Sequence, residues 1–220
     1  MYIDSANVDE IKELMSYGIF KGVTTNPTLL LNEGKERLMQ LKNIAALNVG
    51  TFFIQLEGNT MSELVADFRL IEAEFENVDS IIYKIPINSE GILAIREIRL
   101  IRAHTQFLGT AIYSAEQMYM ASLARCQYVA PYVNRMQVQG IDPFETIASA
   151  QRFIKDHNLT CQIMGASFKN SQQVKAVYDV GIDTVTLSKD VVMQMLERNL
   201  ANQAILDFNN DGKKLKAHNN

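Results

Sequence analysis

The sequence predicts an α/β fold, a (β/α)8 barrel, on three observations. Short β-branched or aromatic runs that end at a polar residue recur eight times, and each is followed by a segment of helical periodicity. Divided over eight units, 220 residues leave about 27 per unit, close to the roughly 30 that one compact βα repeat requires. Strict alternation favours parallel strands joined by right-handed crossovers, and eight of these close naturally into a barrel. An open doubly wound sheet is the alternative, but Ile3-Asp4-Ser5-Ala6-Asn7 stands where its Gly-x-Gly-x-x-Gly turn belongs.

The first strand run covers 2–4. A helix then starts near Ala6 or Asn7, carries Val8, Ile11, Leu14 and Met15 on one stripe, and ends at Gly18. The second run, 22–26, precedes a stripe over 38–47. The third, 51–57, precedes Leu64, Val65, Phe68, Ile71 and Phe75 within 61–75. Runs at 80–86, 106–110, 127–133, 161–167 and 183–187 are followed by helical stripes over 92–101, 115–123, 143–154, 172–180 and 191–196. Each strand therefore receives one helix, with the barrel over 1–198. Beyond Asn199, Leu200, Ala204, Ile205 and Phe208 make another apolar face before the chain turns polar and Lys-rich through His218. Residues 199–220 are expected to form an extra helix with a disordered tail. That face needs cover, from its own barrel on the favoured reading, from a neighbouring subunit on the other. The whole chain is expected to be a single domain.

Composition removes several functional classes. With 21 Lys+Arg against 25 Asp+Glu, net charge -4, and no local basic cluster, nucleic acid is not an expected partner. No apolar stretch approaches the roughly 18 to 20 residues that span a bilayer, and the N-terminus has no basic region followed by an apolar run. A soluble, cytoplasmic protein is expected. Cys126 and Cys161 are too few for a disulfide scaffold and read as buried free thiols.

Chemistry in such a barrel gathers at the C-terminal strand ends. Counting back by two from each polar terminus selects Asp4, Asn26, Gln55, Lys84, Thr110, Tyr132 and Ser167 as interior. Lys84 is the most informative, because an ammonium among apolar strand residues is costly to desolvate and its pKa falls. A lysine that loses its proton near neutral pH attacks carbonyls, and the resulting protonated imine is an electron sink for breaking the adjacent carbon-carbon bond. Taken alone, the run favours a lysine that merely reaches solvent at a strand exit, and it is the companions at the other strand ends that point to chemistry. Asp4 fits a proton-transfer group or a helix N-cap. Gln55, Thr110 and Tyr132 together suggest a pocket that holds a water for proton relay. Gly165-Ala166-Ser167-Phe168-Lys169-Asn170 opens a helix whose free N–H groups favour an anion. With Arg135 and Lys169 it fits a phosphate monoester or an ordinary capped helix. His104, His157 and His218 fall away from the strand exits, and no cysteine-histidine ligand spacing occurs, so neither a metal site nor a Ser-His-acid triad is expected.

Gly22-Val23-Thr24-Thr25-Asn26-Pro27, Lys84-Ile85-Pro86, Leu108-Gly109-Thr110-Ala111-Ile112-Tyr113, Ala130-Pro131-Tyr132-Val133-Asn134-Arg135 and Ala166-Ser167-Phe168-Lys169 resemble the short-form transaldolase family nearly end to end. The resemblance implies a TIM barrel without metal or organic cofactor, working through a lysine imine at Lys84. Asp4 and Asn26 match family positions, Gln55, Thr110 and Tyr132 match residues that hold a catalytic water, and Arg135 and Ser167 match phosphate ligands.

Family members run two reactions on sugar phosphates. One cleaves fructose 6-phosphate reversibly to dihydroxyacetone and glyceraldehyde 3-phosphate, and the other passes the dihydroxyacetone unit to a second aldose phosphate. Gln55 where transaldolases typically carry glutamate, and Tyr132 where longer forms carry phenylalanine, look aldolase-like. Glu57, two residues beyond Gln55 on the same strand parity, is expected to lie outside the pocket. The resemblance also implies a homo-oligomer, a ring of five or a pair of such rings, with the C-terminal helix reaching a neighbour. A barrel without catalysis that merely binds sugar phosphate is the reading from another class.

Overall fold

Alternation along each strand sorts the apolar residues into two cores. Ile3, Val23, Ile54, Ile85, Val129, Ile163 and Val185 face outward into a shell completed by the helices, whereas Tyr2, Phe53, Ile82, Leu108, Ala130 and Met164 fill the barrel interior. The computed structural model describes residues 1–75 and 80–218. Within them β1 (Tyr2–Asp4), β2 (Gly22–Thr24), β3 (Thr51–Gln55), β4 (Ile81–Pro86), β5 (Phe107–Ile112), β6 (Tyr128–Pro131), β7 (Gln162–Gly165) and β8 (Thr184–Leu187) pair in chain order. All pairings are parallel, and β8 returns to β1 to close the barrel. The fold is the TIM barrel expected.

The helices follow from local signals. α1 (Val8–Met15) starts where the Asn7 side chain accepts from the Asp9 and Glu10 N–H groups at 3.0 Å, and it buries Ile11 and Leu14. Each of those side chains contributes roughly 1.5–3 kcal/mol by leaving water. α4 (Met61–Glu74) opens with a reciprocal capping box between Thr60 and Glu63. α5 (Ser89–Ile101) packs its first turn so closely on β4 that a Cβ at Gly91 would lie 1.8 Å from the Pro86 carbonyl oxygen. α3 (Arg37–Ala45), α6 (Ala115–Leu123), α8 (Pro143–Asp156), α9 (Ser171–Asp179) and α10 (Lys189–Leu196) complete the main shell. Cys126 and Cys161 are buried free thiols, and burial pushes them up to about 12 and about 11 respectively.

Four expectations are corrected. One helix per strand fails at β2 and β6, which are each followed by an additional short helix, α2 (Pro27–Asn32) and α7 (Val133–Val138). Asn26-Pro27 is an N-cap followed by proline at the first helical position, a start signal that overrides the β-rich run before it. Strand boundaries move accordingly: β2, β3, β6 and β7 end two residues before the sequence runs do, and β5 continues two residues further. The tail expected to be disordered is helical to His218 in α11 (Asn199–His218), while 219–220 lie outside the described residues. Nor does α11 pack on its own barrel. Leu200 is 88% exposed and Phe208 74%, with Ile205, Leu206 and Leu215 also in the open.

Candidate active site

At the C-terminal mouth of the barrel a cavity of about 310 Å³ is lined by Asp4, Thr24, Asn26, Gln55, Lys84, Thr110, Tyr132, Arg135, Ser167 and Thr186, with Leu108, Ala130 and Met164 as apolar walls. Its size suits a small molecule. A larger hollow of about 500 Å³ opens at the start of β3 and β4, where Lys42 and Glu74 pair with each other, away from the strand exits.

Lys84 sits two residues below the end of β4, so its side chain starts inside the barrel and only 7% of it reaches solvent. Its Nζ donates to the Thr25 carbonyl oxygen. Burial holds the ammonium below the ordinary lysine range, and the Asp4 carboxylate opposes that shift without cancelling it. Asp4 ends β1 and accepts from the Thr24 hydroxyl at 2.8 Å, which also shares a hydrogen bond with the Thr186 hydroxyl at 2.7 Å. Thr24 has one proton. With that proton on the Asp4 carboxylate, Thr186 becomes the donor to Thr24, giving a directed chain of hydroxyls ending on Asp4.

Gln55 pairs in register with Lys84 on the adjacent strand. Its Oε1 is buried without a hydrogen-bond partner among the described residues, on a residue lining the cavity. An orphaned acceptor of this kind calls for a polar ligand or water. Across the mouth, the Thr110 and Tyr132 hydroxyls lie 2.7 Å apart. Thr110 is aimed by an irregularity: the β5–β6 register shifts between Gly109 and Ile112, and Ala111 takes φ 58°. The Gln117 side chain holds this kink, accepting from the Tyr113 N–H at 2.8 Å and donating to the Ala111 and Ile87 carbonyls at 3.2 Å.

The anion-binding side differs from expectation in construction. Asn26 is not on a strand but caps α2, accepting from the Leu29 N–H at 3.0 Å. The interior residues here are Met164 of β7 and Ala166 just past its end, so the parity that placed Ser167 inside was off by one. Ser167 reaches the cavity because the backbone turns left-handed there, at φ 59°. Three of the N–H groups expected to be free after β7 are taken. Lys169 donates to Gln173 Oε1 at 2.7 Å, Ser171 to Gln194 Oε1 at 3.2 Å and Gln173 to Asn170 Oδ1 at 3.0 Å. The Lys169 side chain is exposed, and Lys169 is outside the cavity lining. Arg135 extends from α7 with its guanidinium carbon 5.1 Å from the centre of the Tyr132 ring, and its bond to the Tyr113 hydroxyl strengthens its hold on the proton. Glu57 faces away and pairs with Arg37 Nε at 2.9 Å. His157 stacks on Phe153 in α8, away from the cavity lining.

Thr24 and Thr186 were missed in the sequence. Counting back from Asn26 reaches Thr24, and counting back from Ser188 reaches Thr186, so the signal was parity applied to every strand exit rather than to the most polar ones.

A closed parallel barrel with a buried lysine in a polar cavity at its strand exits defines the class: a TIM barrel whose mouth is equipped for carbonyl chemistry. The sequence profile of the Transaldolase/Fructose-6-phosphate aldolase family matches residues 1–220, and the chain belongs to that family of enzymes, which act on sugar phosphates.

Proposed function

We propose that the protein is a class I aldolase that cleaves fructose 6-phosphate reversibly to dihydroxyacetone and glyceraldehyde 3-phosphate. The observation that carries this reading is Lys84, buried within the cavity with its pKa depressed by desolvation and Asp4 acting on its charge. Neutral Lys84 Nζ attacks C2 of the open-chain ketose, and Asp4 supplies the proton that leaves with the hydroxyl as water, giving a protonated imine. The C3–C4 bond then breaks. Its electron pair moves to C3 and into the imine to give an enamine, while a base accepts the C4 hydroxyl proton as glyceraldehyde 3-phosphate departs. A water held by Tyr132, Thr110 and the orphaned Gln55 Oε1 takes that proton and later delivers one to C3. Hydrolysis of the new imine frees dihydroxyacetone and Lys84. Arg135 and Ser167 hold the phosphate, and Asn26 binds substrate hydroxyls.

Gln55 supports release over transfer. An uncharged carboxamide accepts from a water without competing for its proton, so the water stays acidic enough to protonate the enamine.

Incubation with fructose 6-phosphate alone, and then with erythrose 4-phosphate, tests the reading. Dihydroxyacetone released without an acceptor supports aldolase. Product formed only with the acceptor would make the protein a transaldolase, and tight binding with neither cleavage nor a borohydride-trapped adduct at Lys84 would make it a sugar-phosphate-binding scaffold.

We further propose a homo-oligomer in which α11 is covered by another copy. Most of a helix's stability in a protein comes from packing its apolar face, and in α11 the exposed Leu200, Ile205, Leu206, Phe208 and Leu215 each forgo roughly 1.5–3 kcal/mol of burial. Mass measurement in solution is expected to give five or ten subunits, and truncation after residue 198 to lower that number. A full-length monomer would sink the proposal.

A further inference from the structure

Arg37 begins α3, outside the cavity, yet its guanidinium reaches the strand exit on which Gln55 sits. Nη2 donates to the Gln55 carbonyl oxygen at 2.9 Å, and Nη1 and Nη2 hold both oxygens of Asp67 at 2.6 and 2.9 Å. Asp67, from α4, accepts in turn from the Glu57 N–H at 2.9 Å. Glu57 Oε1 lies 2.9 Å from Arg37 Nε at an angle too bent for a hydrogen bond, so it adds charge but little direction. Between these two anchored residues, the Leu56 N–H donates to the Lys84 carbonyl oxygen at 2.9 Å. The exit of β3 is thus pinned at three successive residues, two of them by one Arg–Asp fork and the third by the backbone of the lysine itself. Such a fork is planar and bidentate, and it restricts its partners far more than a point charge does.

Nothing comparable among the described residues holds the Gln55 side chain, whose buried Oε1 has no partner there. Its carboxamide is therefore placed by its backbone. We infer that Arg37 and Asp67 are positioning residues that set where the Gln55 carboxamide sits over Lys84, and so set how the enamine divides between protonation, which releases dihydroxyacetone, and transfer to an acceptor aldehyde. The inference rests on the aldolase reading above. A displacement of the carboxamide by about 1 Å moves its water off the line to C3, the carbon that is protonated only in release, whereas cleavage and transfer share one proton exchange between that water and the C4 oxygen.

The same two helices carry a matched control. Lys42 of α3 and Glu74 of α4 form a second ion pair, 2.5 Å long, at the far end of the helix pair and away from the β3 exit. Three variants are compared with the unaltered protein: Asp67→Asn, Arg37→Lys and Glu74→Gln. For each, the borohydride-trapped adduct at Lys84 is quantified with fructose 6-phosphate, and the ratio of dihydroxyacetone released to erythrose 4-phosphate converted is measured at fixed acceptor. Asp67→Asn is expected to lower that ratio about 10-fold while the adduct forms normally. Arg37→Lys, which reaches Asp67 or the Gln55 carbonyl but not both, is expected to fall between it and the unaltered protein, and Glu74→Gln to leave the ratio unmoved. Release and transfer falling in proportion, in Asp67→Asn or Arg37→Lys, or an equal change in Glu74→Gln, overturns the inference and leaves the aldolase reading intact. If the unaltered protein traps no adduct, or transfers without releasing, the aldolase reading falls and this inference falls with it.

Discussion

The two halves of the barrel mouth are built by different means. On the β1–β4 side, Asp4, Thr24, Gln55 and Lys84 stand on regular strands, in register, with Lys84 deep and largely out of water. On the β5–β7 side, Thr110 is aimed by a register shift, Tyr132 precedes a helix that has no side-chain cap, and Ser167 and Arg135 reach in from a left-handed turn and a short helix. In the proposed mechanism the first half controls protonation of a buried amine, which demands burial and a fixed charge nearby, and the second follows an open-chain substrate out to its phosphate, which demands reach. Regular strands supply burial cheaply because both barrel layers pack on them, whereas reach requires leaving the strand.

Replacing Lys84 with Met breaks the first half outright. Cleavage should fall by at least about 10⁴-fold with no borohydride adduct, because in the proposed mechanism Lys84 carries the covalent step. Stability should respond too. With the folded pKa of Lys84 depressed, the unfolded chain binds more protons between that pKa and 10.5, so native stability rises with pH across this window. Lys84→Met should flatten that rise in urea unfolding measured at a series of pH values. A slope that persists unchanged would mean that Lys84 titrates normally in the native protein.

Tyr132→Phe attacks the second half while keeping the ring beneath Arg135. Loss of the hydroxyl paired with Thr110 should lower dihydroxyacetone release about 10³-fold but leave adduct formation at Lys84 nearly intact. If adduct and release fall together, the two halves do not divide the steps as described.

Asp4→Asn sharpens the electrostatics of the first half. The rate of cleavage should fall about 10²-fold through lost proton transfer, and the rise of kcat/KM with pH should move toward acid, because the carboxylate that favours ammonium on Lys84 is gone. A shift toward base would contradict the assigned pairing. The smallest effect is expected at Ala111→Gly. Relief of the left-handed backbone should stabilise the fold by up to about 1 kcal/mol, while a looser kink lowers activity severalfold; a clear loss of stability would show that the kink is not strained.

Much of the first half was legible in the sequence and little of the second. Lys84, Asp4 and Gln55 follow from period two on strands whose ends are marked by polar residues, and the outward run of Ile3, Ile54 and Ile85 confirms the parity. Ser167 was found for the wrong reason, since the chain there faces inward at Met164 and Ala166, and a one-residue slip exchanges the faces. Lys169 remained a candidate because charge is visible in a sequence, whereas the Gln173 carboxamide that consumes its N–H is not. Arg37 and Asp67 lie 30 residues apart on helices that read as ordinary amphipathic surfaces, and no spacing rule joins them.

The amino-acid sequence by itself determined the repeat, the closure into eight parallel strands and the lysine, because these depend on local periodicity and on a fixed residue count per unit. Tertiary structure alone decided which backbone groups were already satisfied, that α11 leaves its apolar face uncovered by its own barrel, and that the Arg37–Asp67 fork meets the exit of β3. Those outcomes depend on distances between segments far apart in the chain, and such distances are set only once the barrel closes.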